Sequence, residues 1–277
     1  MNYLGFDWQL SGSGQCSRYA TRHALLCVGV PVTRDDLSMS LVGRVRMVFS
    51  GDDERAIKAV LREQGCTPVE VHARTAGEMH RRLDTLLAQG IPCIVCTEGW
   101  GHWAVIAGRS PRGRYFWIDS ADPDLVGEWA WADVAAWMAC EDEARPFYAI
   151  GVRPRRPGWL AQSLVPRFGR VWDHLADADL CAYWGTYLAV LDDVFDPDRR
   201  GDLEAPAFFD RNTAAILAAA NAYEGERGNG FAYELKNLRA VATMHDMRMP
   251  ADRERHAAIR LGLEVFDLVE TWPPRTP

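Results

Sequence analysis

"GHWAVIAGRSPRGRYFWIDSADP" (residues 101–123) holds two strand-length apolar runs on either side of a short polar stretch. The runs are "HWAVIAGR" (102–109) and "RYFWIDSA" (114–121), and the "SPRG" between them carries the Pro and Gly of a tight connection. This spacing predicts an antiparallel β-hairpin. Antiparallel pairing sets the start of one strand beside the end of the next. His102 opens the first strand and Asp119 ends the second, so the hairpin makes them neighbours in space.

Working outward, the flanking segments alternate between helix and strand patterns. "CSRYATRHALLCV" (16–28) reads as an apolar helix, and "TRDDLSMSL" (33–41) as a second, with Thr33 as N-cap and two acids in its first turn. "DDERAIKAVLREQG" (52–65) is amphipathic, with acids at its start and Gly65 at its end. "CTPVEVHAR" (66–74) reads as a strand, "TAGEMHRRLDTLLAQG" (75–90) as a helix and "IPCIVCTE" (91–98) as a strand. A short helix over 131–139 and a closing strand over 147–154 complete the first half. Helices followed by a mostly antiparallel sheet indicate an α+β domain, with an N-terminal helix packed on that sheet.

The basic, proline-bearing "RPRRPG" (153–158) reads as a linker, and the pattern changes after it. Five segments between residues 158 and 277 carry apolar residues at helical period, which predicts an all-α helical bundle. The division expected is thus residues 1–153 and residues 154–277.

The four small residues of "SGSG" (11–14) lead through Gln15 into Cys16, which begins the first helix. A helix N-terminus stabilises a thiolate, because unpaired N–H groups and the positive end of the dipole point at it. A cysteine hydrolase needs that thiolate, a histidine to accept and return a proton, and a third group to orient the imidazole. Cys16, His102 and Asp119 supply these residue types.

These segments resemble the papain-like fold, and specifically the C39-like peptidase family. That family begins its first helix roughly as "DCGxAxLxMxLxYxG", and here "QCSRYATRHALLCVG" sets Cys16 and Gly29 at the same separation. "GVPVTRDDL" is similar to the family turn "GIPVSxxxL", "GHWAVIAG" to "GHFVVLxG", and "WIDSADPD" to its aspartate-bearing "DP" segment, which matches Asp119 with Asp122 as the alternative. The resemblance covers about residues 9–153. Gln15 and Ser17 stand where the family has an acidic residue and a glycine. It implies a cysteine peptidase acting through a Cys16–His102–Asp119 triad and a thioester acyl-enzyme. The family's oxyanion glutamine maps to Gln9, with Gln15 as the alternative. Two further readings are an acyl or amide transferase on the same fold and a non-catalytic module that binds a peptide.

Composition bounds the partners. The net charge of -7 and the lack of a Lys/Arg-rich run argue against nucleic acid. No apolar stretch approaches membrane-spanning length, and residues 1–14 lack the pattern of a signal peptide. Seven irregularly spaced cysteines fit reduced thiols in a cytoplasmic protein. The partners expected are a peptide or protein substrate and a partner protein on the helical half; no cofactor or metal is called for. Trp100 and Trp103 flank His102 and are candidates to line a substrate groove.

Other chemical-looking motifs carry less. His23 lies seven residues beyond Cys16, which is about 10.5 Å along a helix and out of reach of its sulfur. The "CIVC" of 93–96 sits in a strand, where positions three apart face opposite ways. "LDDVFD" (191–196) spells a diphosphate–magnesium pattern but reads as an acidic helix end.

Overall fold

In the computed structural model, which describes residues 16–32, 54–122, 124–140, 146–171, 180, 183–195, 201–222 and 228–271, the apolar run 102–109 is a central strand. It becomes β3 (His102–Arg109), and its first seven residues are all buried. It pairs with β2 (Cys93–Thr97) on one side and with β4 (Tyr115–Ile118) on the other. The sheet has six strands, adding β1 (Cys66–Ala73), β5 (Val126–Trp129) and β6 (Phe147–Pro154). Their order is β1-β6-β2-β3-β4-β5, and every pairing is antiparallel. The edge strand β1 contains Pro68, and the opposite edge, β5, is only four residues long.

Helix α1 (Cys16–Cys27) packs on β3 and β2. Its apolar residues Ala24, Leu25 and Leu26 are fully buried, which is why so hydrophobic a segment holds a helix in the core. Helix α2 (Glu54–Glu63) lies against α1 and β1 through Ile57, Val60 and Leu61, with Glu54 in its first turn and Arg62 in its last. Helix α3 (Ala76–Ala88) starts at Thr75, whose hydroxyl accepts from the Glu78 N–H at 3.2 Å. It stops at Gly90, whose φ of 76° suits a residue without Cβ.

Helix α4 (Trp131–Met138) follows β5, and two short helices, α5 (Pro157–Ala161) and α6 (Phe168–Val171), follow β6. This post-linker segment packs back on the sheet layer: the Leu164 N–H donates to the Cys27 carbonyl at 2.7 Å and the Ser163 hydroxyl to the Gly90 carbonyl at 2.7 Å. The chain divides into compact units at residues 1–185 and 186–277. The buried N–H and hydroxyl that Leu164 and Ser163 bring find their acceptors only in the first unit, which holds the segment there.

From α7 (Trp184–Val194) onward the chain is largely helical, with α8 (Ala205–Asn221), α9 (Gly228–Met244) and α10 (Glu254–Thr271) packed on one another. A two-residue ladder pairs Leu203–Glu204 with Arg248–Met249. Phe195, Phe208 and Phe209 form one ring cluster, with centroids 5.3–6.1 Å apart. A second feature is a buried polar group: the Tyr187 hydroxyl donates to Glu234 at 2.7 Å and accepts from Asn237 at 2.9 Å. The helix expected over 33–41 lies outside the described residues. No described helix is long and apolar enough to cross a membrane.

Candidate active site

Cys16 is the first residue of α1 and only 5% exposed. Its position at the helix start places it where the unpaired N–H groups of the first turn favour negative charge. α1 packs on β3, and β3 begins with His102, so the thiol and the imidazole belong to two elements in contact.

The register of the hairpin explains the second partner. Val105 pairs with Ile118, so the chain leaves β4 at Asp119 opposite the start of β3. The His102 Nε2–H donates to Asp119 Oδ1 at 2.7 Å, and both residues are buried, at 6% and 5% exposure. The same oxygen accepts from the Ala121 N–H at 2.9 Å, and the Asp119 N–H donates to the Leu125 carbonyl at 2.8 Å. These bonds fix the carboxylate from its own turn and leave Nδ1 of the imidazole for another partner. Asp122 is not the residue bonded to His102. Its Oδ1 accepts from the Asp124 N–H at 2.9 Å and closes that turn.

Burial by itself would lower the His102 pKa. The hydrogen bond to Asp119, the interaction with the Cys16 thiol and the charges of both groups outweigh that and raise it to about 10. His102 is therefore an imidazolium at neutral pH.

Of the other described thiols, Cys27, Cys66, Cys93 and Cys96 are buried and Cys140 is half-buried. Burial pushes Cys66 and Cys96 up to about 12 each, and Cys27 and Cys93 are also raised by burial. The charges of Cys140 and Cys16 add to the rise at Cys96. A thiol so raised is almost wholly protonated near neutral pH and reacts slowly.

Between β2 and β3 the chain makes a 3₁₀ turn, Glu98–Trp100, with φ of 53° at Glu98, 62° at Gly99 and 75° at Trp100. For the two non-glycine residues this left-handed backbone costs about 1–3 kcal/mol each. Trp100 is half-buried and stacks on Tyr148, with centroids 4.9 Å apart and an interplanar angle of 22°. It meets Trp103 edge-on at 6.3 Å. Trp103 is fully buried, so it backs Trp100 from inside.

Gln9 and Gln15 lie outside the described residues. His23 is fully buried in α1, and burial holds its pKa well below the ordinary histidine range. Cys93 and Cys96 occupy β2, three positions apart. In the acidic stretch of α7, Asp193 pairs with Arg260 at 3.2 Å, and Asp196 lies outside the described residues. Tyr148 and the left-handed turn have no mark in the sequence as a site. The glycines of "EGWG" hint at the turn, but the ring beneath Trp100 comes from a strand nearly fifty residues later.

An α+β unit in which a helix carrying a buried cysteine packs on an antiparallel sheet is consistent with a papain-like fold in general. No family model matches the chain, and neither does any curated protein or solved structure at a significant level.

Proposed function

We propose that this chain is a cysteine hydrolase of the C39-like peptidase kind, cleaving a peptide bond through Cys16, His102 and Asp119. The observation that carries the reading is the buried His102–Asp119 pair at 2.7 Å, whose imidazole also feels the Cys16 thiol. His102 as imidazolium stabilises Cys16 as thiolate, which attacks a substrate carbonyl. The C–N bond breaks as the His102 Nδ1 proton passes to the departing amine, leaving a thioester on Cys16. Neutral His102 then takes a proton from water, the hydroxyl adds to the thioester, and the acid leaves as Cys16 regains its starting state. Asp119 keeps the proton on Nε2 throughout, so Nδ1 alone exchanges protons.

The Cys16 N–H and the Gln9 side chain, or Gln15 in its place, are assigned to the oxyanion; each such donor is typically worth about 3–4 kcal/mol. Trp100 offers a half-buried ring face beside His102 for an apolar part of the substrate, with Trp103 behind it. The reduced thiols suit a cytoplasmic setting. The helical residues after the linker are assigned to docking a substrate or partner protein.

Labelling with iodoacetamide, followed by intact mass between about pH 5 and 9, tests the reading. One fast label at about pH 6, absent in Cys16→Ala and slowed in His102→Ala, is the result expected of an activated thiolate, since an unassisted thiol is protonated there. Cys16 labelling no faster than the other thiols would leave a peptide-binding module. With an active protein, added primary amines trap conjugates if the acyl group is transferred and leave free acids if it is hydrolysed.

A further inference from the structure

Among the described residues only four non-glycine positions have positive φ: Glu98, Trp100, Leu125 and Asp246. Three of these frame one pair of side chains. Glu98 and Trp100 precede His102, and Leu125, whose carbonyl accepts the Asp119 N–H at 2.8 Å, follows Asp119. A tryptophan at φ 75° is unfavourable where a glycine would be at ease, and Gly99 beside it shows that glycine is admitted in this turn. Something in the indole therefore holds position 100. The ring lies on Tyr148 at 4.9 Å and against Trp103 at 6.3 Å, and Tyr148 is itself in ring contact with Trp103 at 6.0 Å and with His72 at 4.8 Å.

The turn closes tightly behind that ring. The Gly101 N–H donates to the Glu98 carbonyl at 3.1 Å, and a Cβ added at Gly101 would meet that oxygen at 3.0 Å. The next residue is His102, so no slack separates the clamped indole from the imidazole. We propose that Trp100 is a positioning residue for His102: its ring, anchored on Tyr148 and Trp103, holds the left-handed turn that sets where His102 enters β3 and meets Asp119 and Cys16. The inference rests on reading Cys16 and His102 as a reacting pair. It adds a role for a residue whose ring contacts are Tyr148 and Trp103.

Four variants separate the ring from the backbone. Trp100→Gly removes the ring and also the strain of the left-handed backbone; Trp100→Leu removes the ring and keeps a Cβ that disfavours that backbone; Trp100→Phe keeps an aromatic ring; Glu98→Gly relieves the neighbouring residue and leaves the indole alone. The measurements are the iodoacetamide rate at Cys16 from about pH 5 to 9, the His102 ring titration by NMR, and the melting temperature. Trp100→Gly and Trp100→Leu are expected to slow Cys16 labelling at about pH 6 by about ten- to a hundred-fold, the scale on which small misplacements of a reacting group act. They are also expected to move the His102 midpoint downward. Trp100→Phe is slowed and shifted less than Trp100→Leu, and Glu98→Gly stays close to wild type in both.

A wild-type rate in Trp100→Gly or in Trp100→Leu overturns the proposal, and so does an equal slowing in Glu98→Gly. If either ring-deleted variant fails to fold, the other decides, and the melting temperature tells which has folded. If wild-type Cys16 is itself inert, the peptidase reading fails. The NMR titration still decides whether Trp100 positions His102, because an unmoved midpoint in the ring-deleted variants overturns it.

Discussion

His102 and Asp119 are both buried and bonded to each other, so either one alone is a charge in a poor place. Asp119→Ala removes the partner of a buried imidazolium and is expected to lower stability by about 3–5 kcal/mol at pH 7, measured by urea unfolding, with a smaller loss for Asp119→Asn. The direction of the pH dependence follows from the raised His102 pKa. Folded, His102 titrates at about 10, against about 6.5 for an unconstrained histidine. Its contribution to stability is therefore complete below about pH 6.5 and is lost as the pH climbs through about 10. Unfolding free energy measured between those limits should fall with pH in the wild type, and this part of the fall should vanish in His102→Gln. At this scale the pair was legible in the sequence, because a hairpin with a four-residue turn leaves little choice about which ends meet. The surroundings of Trp100 were not legible. Its ring meets Tyr148 of β6 and Trp103 of β3, and local residue types carry no record of those contacts.

Among the elements, β3 is the most constrained. Gly108 lies where the register with β4 slips, and a Cβ there would sit 2.6 Å from the Val165 carbonyl oxygen and 3.4 Å from Phe168. Backbone oxygen cannot swing aside as a side chain can, so Gly108→Ala is expected to cost about 1–3 kcal/mol, read as a lower urea midpoint. The strands 102–109 and 147–154 were legible to their ends, because each is a continuous apolar run bounded by glycine, proline or charged residues. β5 was not anticipated. It is four residues long with a glycine in its middle, and only its pairing to β4 makes it a strand. "RPRRPG" has the composition of a linker, and residues soon after it bond to the carbonyls of Cys27 and Gly90 at the ends of α1 and α3, a pairing that composition does not record.

Over the whole molecule, every described group of the candidate site comes from residues 16–148, within the first compact unit. The buried Tyr187–Glu234–Asn237 group belongs to the second. Tyr187→Phe removes a hydroxyl that both satisfies Glu234 and accepts from Asn237, which should cost about 1–3 kcal/mol. The expected result is a lower melting temperature with an unchanged iodoacetamide rate at Cys16. A slowed rate would mean that the helical residues act on the thiol. The helical character of this region was legible from its period. Its buried polar group was not, because Tyr187 and Glu234 lie 47 positions apart and meet only after packing.

The two borders of the sheet have a consequence for how another chain approaches. Open strand borders invite a foreign segment to join the ladder, the route by which many domains capture peptides and by which misfolded chains aggregate. Here β1 presents Pro68, which has no N–H to offer, together with the charged Glu70, and β5 presents only four residues. Recruitment as a seventh strand is thus disfavoured on both sides, which protects the molecule from self-templated stacking.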